Sequence, residues 1–298
     1  MSLTTRQTAL AMDDFTYEEL LSSPEFETLR RLTEQEKFTP DDALREIHRL
    51  FVIDAAEVTD SRYCVPYNVA ESLTEVASRT DATNQGRLVE FAAQLYRETE
   101  QDPDTGIPLK YQDGKPLWTE NDCLIFSANR AYRDELGPWD RSQEDEMPPI
   151  RKQRWVNLTA FLAQLTQTAP KGLEWGRNPI DFTHIAFYSL RAAFEADIQP
   201  HELVGTTTLQ VACLWFIYAA DTVWSCSKKN LRFDDMLSGE QAGSQYRDRD
   251  WEGFGVERWN VWVDSLEQAE ARCGESDGGE RKMIQDALRK AKAASVDE

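Results

Sequence analysis

The chain has 298 residues, 41% of them hydrophobic and 29% charged, with nine Trp, nine Tyr and thirteen Phe. This aromatic content excludes a disordered polymer, which lacks the apolar surface needed to offset ordering entropy. With 33 basic and 53 acidic residues the net charge is −20, a field that repels phosphate backbones and anionic lipid, so nucleic acid and membrane are poor partners.

Three short basic clusters, Arg151/Lys152/Arg154, Lys228/Lys229 and Arg289/Lys290/Lys292, read as solvated helix ends or loops. The five cysteines, Cys64, Cys123, Cys213, Cys226 and Cys273, are scattered and form no C-x-x-C pair. Reduced structural thiols are therefore expected, with no metal. The start "MSLTTRQTALAMDDF" lacks the apolar core of a signal peptide. The most apolar run, "VACLWFIYAA" over 211–220, is about half of a roughly 20-residue membrane span. A cytoplasmic, or cytoplasmic and nuclear, protein is expected. Asn157-Leu158-Thr159 matches a glycosylation sequon but lies in a helical pattern and is discounted.

Apolar residues recur at three and four positions almost throughout, without sustained alternation, which predicts an all-α fold: one large, irregular multi-helix bundle with long ordered loops. Residues 1–38 read as an N-terminal helical extension, 39–274 as the core domain, and 275–298 as a C-terminal helix, thin in apolar residues and expected to fray. In "TPDDALREIHRLFVIDAAEV", Thr39 is a cap, Pro40 suits the first helical position, and Leu44, Ile47, Phe51, Ala55 and Val58 form a stripe flanked by His48. "GRLVEFAAQLYRE" repeats the pattern with Leu88, Phe91, Ala92 and Leu95.

Two Pro-bearing pieces around Asp113-Gly114 predict a small hairpin or ordered loop near 107–117. Thr119 is expected to cap a helix carrying Ile125, Ala128, Tyr132 and Leu136, which stops at Gly137-Pro138. The acidic connector "DRSQEDEMPPIRKQR" reads as a flexible surface loop. Trp155, Leu158, Leu162 and Leu165 line the next helix, and Asn178-Pro179 is read as opening another. The stretch to Trp224 is apolar nearly all round, the pattern of a central helix. A long polar loop over 227–255 precedes "ERWNVWVDSLEQAE", where Trp259, Trp262, Val263 and Leu266 share a face apart from Glu257, Asp264 and Glu267. That face is expected to pack in the core, with a ligand cleft or protein interface as the alternative.

"GRLVEFAAQLYRE", "DGKPLWTENDCLIFSANRAYRDELG", "RWVNLTAFLAQLT", "DFTHIAFYSLRAAFE", the run over 211–220 and "VERWNVW" occur in the same order as in the filamentous-fungal proteins of domain of unknown function 3632. Over roughly residues 40–268 the chain resembles that ascomycete family, and the order of the pieces carries the likeness. The resemblance implies a helical fold and supplies neither an activity nor catalytic residues. Thr119-Glu120-Asn121-Asp122 stands where the family tends to have a leucine-proline pair, which puts the helix start there in question.

Phosphate-binding glycine motifs, a G-x-S-x-G elbow and H-E-x-x-H are all missing. Asp181 and His184 stand three apart, half of a carboxylate–histidine metal motif without its second helix, and Asp181 reads better as a capping acid. Asp221 follows the most apolar run, so its carboxylate is expected to be at least partly buried and either paired with a neighbouring helix or set in a pocket. Two functions follow. One is a non-catalytic module that binds a protein partner; the other is an enzyme or binder for a small apolar molecule in a bundle-centre pocket of Trp215, Tyr218, Asp221, Trp224 and His184. No catalytic residue and no cofactor is assigned.

Overall fold

The computed structural model describes residues 17–57, 64–101, 106–110, 114–138, 143–170, 178–233, 240–274 and 278–296. The fold is all-α: among these residues, extended segments pair only through isolated bridges. The chain divides into two compact units. One takes the described residues as far as Ala131 and those within Pro170–Ile180; the other takes Tyr132–Ala169 and the described residues from Asp181 onward.

The first unit is built from α1 (Tyr17–Ser22), α2 (Pro24–Glu34), α3 (Pro40–Glu57), α4 (Cys64–Arg79), α5 (Gly86–Leu95) and α6 (Cys123–Arg130). The Ser23 hydroxyl accepts from the Phe26 N–H at 3.2 Å, capping α2 behind Pro24. The Thr39 hydroxyl accepts from the Asp42 N–H, and the Asp42 carboxylate accepts from the Thr39 N–H at 2.9 Å, a reciprocal cap that starts α3. Helix α2 packs on α3 and α4, and α4 packs on α6. Leu29 and Leu32 are sealed from solvent in that contact, each side chain contributing about 1.5–3 kcal/mol by its burial. Residues 24–34 therefore belong to the core of this unit and are not an extension of it.

The α3 stripe is buried at Leu44, Ile47 and Phe51, and the α5 stripe at Leu88, Phe91, Ala92 and Leu95. The side chains of Ala55, Val58 and Cys64 lie outside the described residues. Near 107–117, Lys110 bridges Pro116 and the Leu117 N–H donates to the Leu109 carbonyl at 3.2 Å; Asp113 is outside the described residues. Helix α6 begins at Cys123, not behind Thr119. The Asn121 side chain accepts from the Cys123 N–H at 3.1 Å and itself donates to the Leu117 carbonyl, holding residues 117–121 in a turn.

A π-helical stretch, Ala131–Leu136, follows α6, and the second unit, which begins within it at Tyr132, runs through α7 (Pro149–Thr168), α8 (Thr183–Phe194), the single turn α9 (Pro200–Leu203), α10 (Thr207–Lys228), α11 (Val256–Arg272) and α12 (Gly278–Val296). At the end of the π stretch a Cβ on Gly137 would lie 2.5 Å from the Tyr132 carbonyl oxygen, so only glycine fits. Helix α10 is the centre, packed by α7, α8, α11 and α12, and its residues 211–216 are all buried. Among the described residues it is the one helix with the length and apolarity to cross a membrane, and 61% of that apolar window is buried inside the protein.

Helix α12 is docked on α10 through Ile284, Ala287, Leu288 and Ala291. The expected loose attachment is corrected: its alanines let it approach closely, so a face thin in large residues still makes a tight contact. Asn178 does not open a helix; its side chain accepts from the Ile180 N–H at 3.2 Å, and α8 starts at Thr183. The connector over 140–154 is also corrected. In its described part Glu144 and Met147 are buried, and Glu144 accepts from the backbone N–H of Thr207 and of Thr208 (3.2 Å) and from the Thr208 hydroxyl, capping α10 beside Thr206.

Candidate functional site

The five residues singled out in the sequence occupy three environments on α8 and α10. Trp215 is fully buried and its indole N–H donates to the Ser189 hydroxyl at 3.1 Å. Ser189 in turn donates to the Ile185 carbonyl at 2.6 Å, which leaves its oxygen to accept from the Tyr132 hydroxyl at 2.6 Å. Ser189 is thus saturated. Burial pushes the Tyr132 phenol up to about 12. His184 is buried one turn before, with its ring centroid 6.4 Å from that of Phe182; desolvation holds its pKa down at about 4, so it is neutral at pH 7. Asp181 precedes α8 instead of sharing its face with His184. Its carboxylate accepts from the Thr183 N–H at 3.0 Å, and burial raises its pKa.

Past Trp215 and Phe216 the burial of α10 changes. Ala219 leaves helical geometry at φ −133°, ψ 21°, a kink that joins two helical segments of α10, with no proline or glycine to cause it. From Ile217 onward one side of the helix comes toward solvent. Ile217, Tyr218, Thr222, Trp224, Ser225 and Cys226 are half-buried, and Asp221 is exposed, against the expectation of a partly buried acid. Asp221 meets α7: its Oδ2 accepts from the Gln167 amide at 3.2 Å, while the Gln167 carbonyl accepts from the Thr222 hydroxyl at 2.9 Å. That clasp fixes which way the amide points. Trp224 leans on Trp259 of α11, centroids 5.3 Å apart, with the Lys228 ammonium 5.8 Å from its ring. Partial burial raises the Tyr218 phenol, and burial pushes the Cys226 thiol up to about 12, leaving it protonated and unreactive at neutral pH.

The largest polar structure in this unit went unread in the sequence. Glu195, just past α8, and Arg258 of α11 form a doubly hydrogen-bonded ion pair, Nε to Oε1 at 2.8 Å and Nη2 to Oε2 at 2.9 Å, with their side chains 0% and 1% exposed. The Glu195 carboxylate also accepts from the Trp262 indole N–H at 2.9 Å and the Gly243 N–H at 2.8 Å. Arg258 spends its remaining donors on the carbonyls of Glu240, Gln241 and Gly253 and lies 4.7 Å over the Phe187 ring. Gly243 is confined there, since a Cβ would fall 2.4 Å from the Glu195 carbonyl. The polar segment over 240–255, expected as a loop, is thereby an ordered strap around a saturated buried pair. Trp259, Trp262 and Leu266 pack inward as expected, and Val263 is half-buried.

The buried Glu195–Arg258 pair of this unit is saturated by its own neighbours, whereas Asp221 and the half-buried residues around it reach solvent. Among the described residues no group of three or more His, Cys, Asp or Glu side chains could hold a metal ion. No curated protein and no solved structure matches the chain. A family model described as "Protein of unknown function (DUF3632)" does match, over residues 71–266, which covers part of each unit and every residue of the face around Asp221: the chain belongs to the DUF3632 family.

Proposed function

We propose that this protein is a non-catalytic helical module that binds another protein, and that the half-buried side of α10 from Ile217 to Cys226 is its docking face. The observation that carries the reading is the change along α10. Trp215 is sealed and fully hydrogen-bonded, whereas Tyr218 and Trp224 come to the surface on either side of the exposed Asp221. Tyrosine and tryptophan held rigidly with one side open are the residues that anchor protein interfaces, because they bury much area for little lost conformational freedom. The net charge of −20 supports a protein partner over nucleic acid. The Cys213 and Cys226 thiols are in no disulfide, which supports work in a reducing compartment such as the cytoplasm.

The test is affinity purification from cells of the source organism, followed by reconstitution from purified components, with wild type and Ser225→Arg. Ser225 is half-buried on this face, and a long side chain there obstructs docking. A stoichiometric complex with wild type that Ser225→Arg abolishes, with an unchanged melting temperature, supports the reading. A partner that binds both proteins equally overturns the face. If no protein binds and a small apolar molecule raises the melting temperature of wild type, the module is a metabolite binder instead.

A further inference from the structure

We propose that α12 is exchanged between two copies of this chain: it turns about Gly278 and Gly279, leaves its own groove on α10 and α11, and fills the same groove in the second copy. Two observations point there. The first is the start of the helix. Gly278 and Gly279 are exposed, a Cβ on either would meet nothing within 4 Å, and neither is among the glycines with positive φ. Neither a close approach nor a left-handed backbone calls for glycine, and two of them in the first turn weaken the helix and let the chain change direction there.

The second is the breadth of the contact. Over its 19 residues α12 buries two large apolar side chains, Ile284 and Leu288, and the small Ala287, Ala291 and Ala294. Its polar ties lie at the surface. Glu280 accepts from the Gly205 N–H at 2.6 Å, Gln285 donates to the Glu270 carboxylate at 2.8 Å, and Lys292 pairs with Glu267 at 2.6 Å with side chains 57% and 46% exposed. Water competes for each of them. An emptied groove would put apolar surface of α10 in water, so it takes a helix with the same stripe. A second copy carries that stripe with the same flanking charges, and every contact is remade between chains with none added. The close packing of α12 is the same in both arrangements and is no obstacle. The charge of −20 on each chain opposes approach at a distance but is screened at physiological salt.

The experiment mixes two full-length variants, Glu270→Cys and Gln285→Cys, at high protein concentration, and adds a short bis-maleimide that joins thiols held at this contact. The expected result is a covalent dimer linked through positions 270 and 285, identified by peptide mass spectrometry. Random assortment makes about half of the swapped dimers mixed ones, and neither variant alone gives that link. Gly278→Ala/Gly279→Ala placed in both chains slows its appearance about fivefold, the effect of one glycine's helix propensity. Glu270→Cys/Gln285→Cys in a single chain shows that the linker spans the contact, and Glu267→Cys with Lys292→Cys repeats the test at a second contact. No link between chains in the mixture, where the doubly substituted chain links internally, overturns the proposal. So does a link that forms equally fast with the two alanines, because the exchange then does not turn on these glycines. A dimer docked through the α10 face joins no such pair, so the docking reading stands or falls separately.

Discussion

Replacing Glu195 by Gln changes one oxygen to an amide and tests the buried pair with almost no change of shape. The carboxylate receives four donors: Arg258 Nε, Arg258 Nη2, the Trp262 indole and the Gly243 N–H. Each oxygen receives two of these donors, so whichever position the glutamine NH2 takes, two charge-assisted bonds are lost and it faces two N–H groups. Arg258, 1% exposed, is then a buried cation without a counter-charge. Breaking one side of such a pair costs about 3–5 kcal/mol, or about 6–20 °C in melting temperature for a unit of this size. Two units need not unfold together. The assay is therefore hydrogen exchange followed by mass spectrometry on peptides from α8 and α11. The double variant Glu195→Leu/Arg258→Met should cost about 2 kcal/mol less than the sum of its single changes, because it leaves no lone charge. Protection within about 1 kcal/mol of wild type in Glu195→Gln would refute the reasoning, since a cost that small requires the pair to be solvated.

Trp262→Ala removes a sealed indole and one donor to Glu195 and should destabilise the second unit by about 3–5 kcal/mol in denaturant unfolding; an unchanged midpoint would take the indole out of the core. His184 predicts a pH dependence. Its folded pKa of about 4 lies below the ordinary 6.5, so the unfolded state binds the proton first. Stability is unaffected above pH 7, falls as pH drops through 6.5, and levels off below about 4, with roughly 2 kcal/mol lost by pH 5. His184→Gln should show a shallower decline from pH 7 to 5 than wild type in the same unfolding series; equal slopes would mean that His184 is reached by solvent.

The helices were legible because apolar spacing reports which side of a helix meets its neighbours. Leu88, Phe91, Ala92 and Leu95, or Trp259, Trp262 and Leu266, could be assigned to the core without knowing what they touch. Charged residues defeat the same reasoning. Arg258 lies between Glu257 and Trp259 in a run full of charges, and patterning alone sends it to solvent; what turns it inward is an acid 63 positions away. Glu144 is likewise hidden in an acidic connector, and only the free N–H groups of α10, also more than 60 positions away, draw it inside. Asn178 and Thr119 failed for a nearer reason. A short polar side chain ahead of an apolar run can cap a helix or close a turn, and in the structure Asn178 bonds the N–H two residues on while Asn121, not Thr119, sits beside the first helical N–H. Asp221 joins both difficulties. It follows ten apolar residues and reads as buried if α10 continues unchanged, but the helix departs from its own geometry at Ala219, two residues earlier, where sequence gives no warning. The stretch that makes α10 the core of its unit and the stretch that comes partly to solvent therefore belong to one apolar run, sealed at Trp215 and Phe216 and half-buried at Ile217 and Tyr218, just ahead of the backbone irregularity at Ala219.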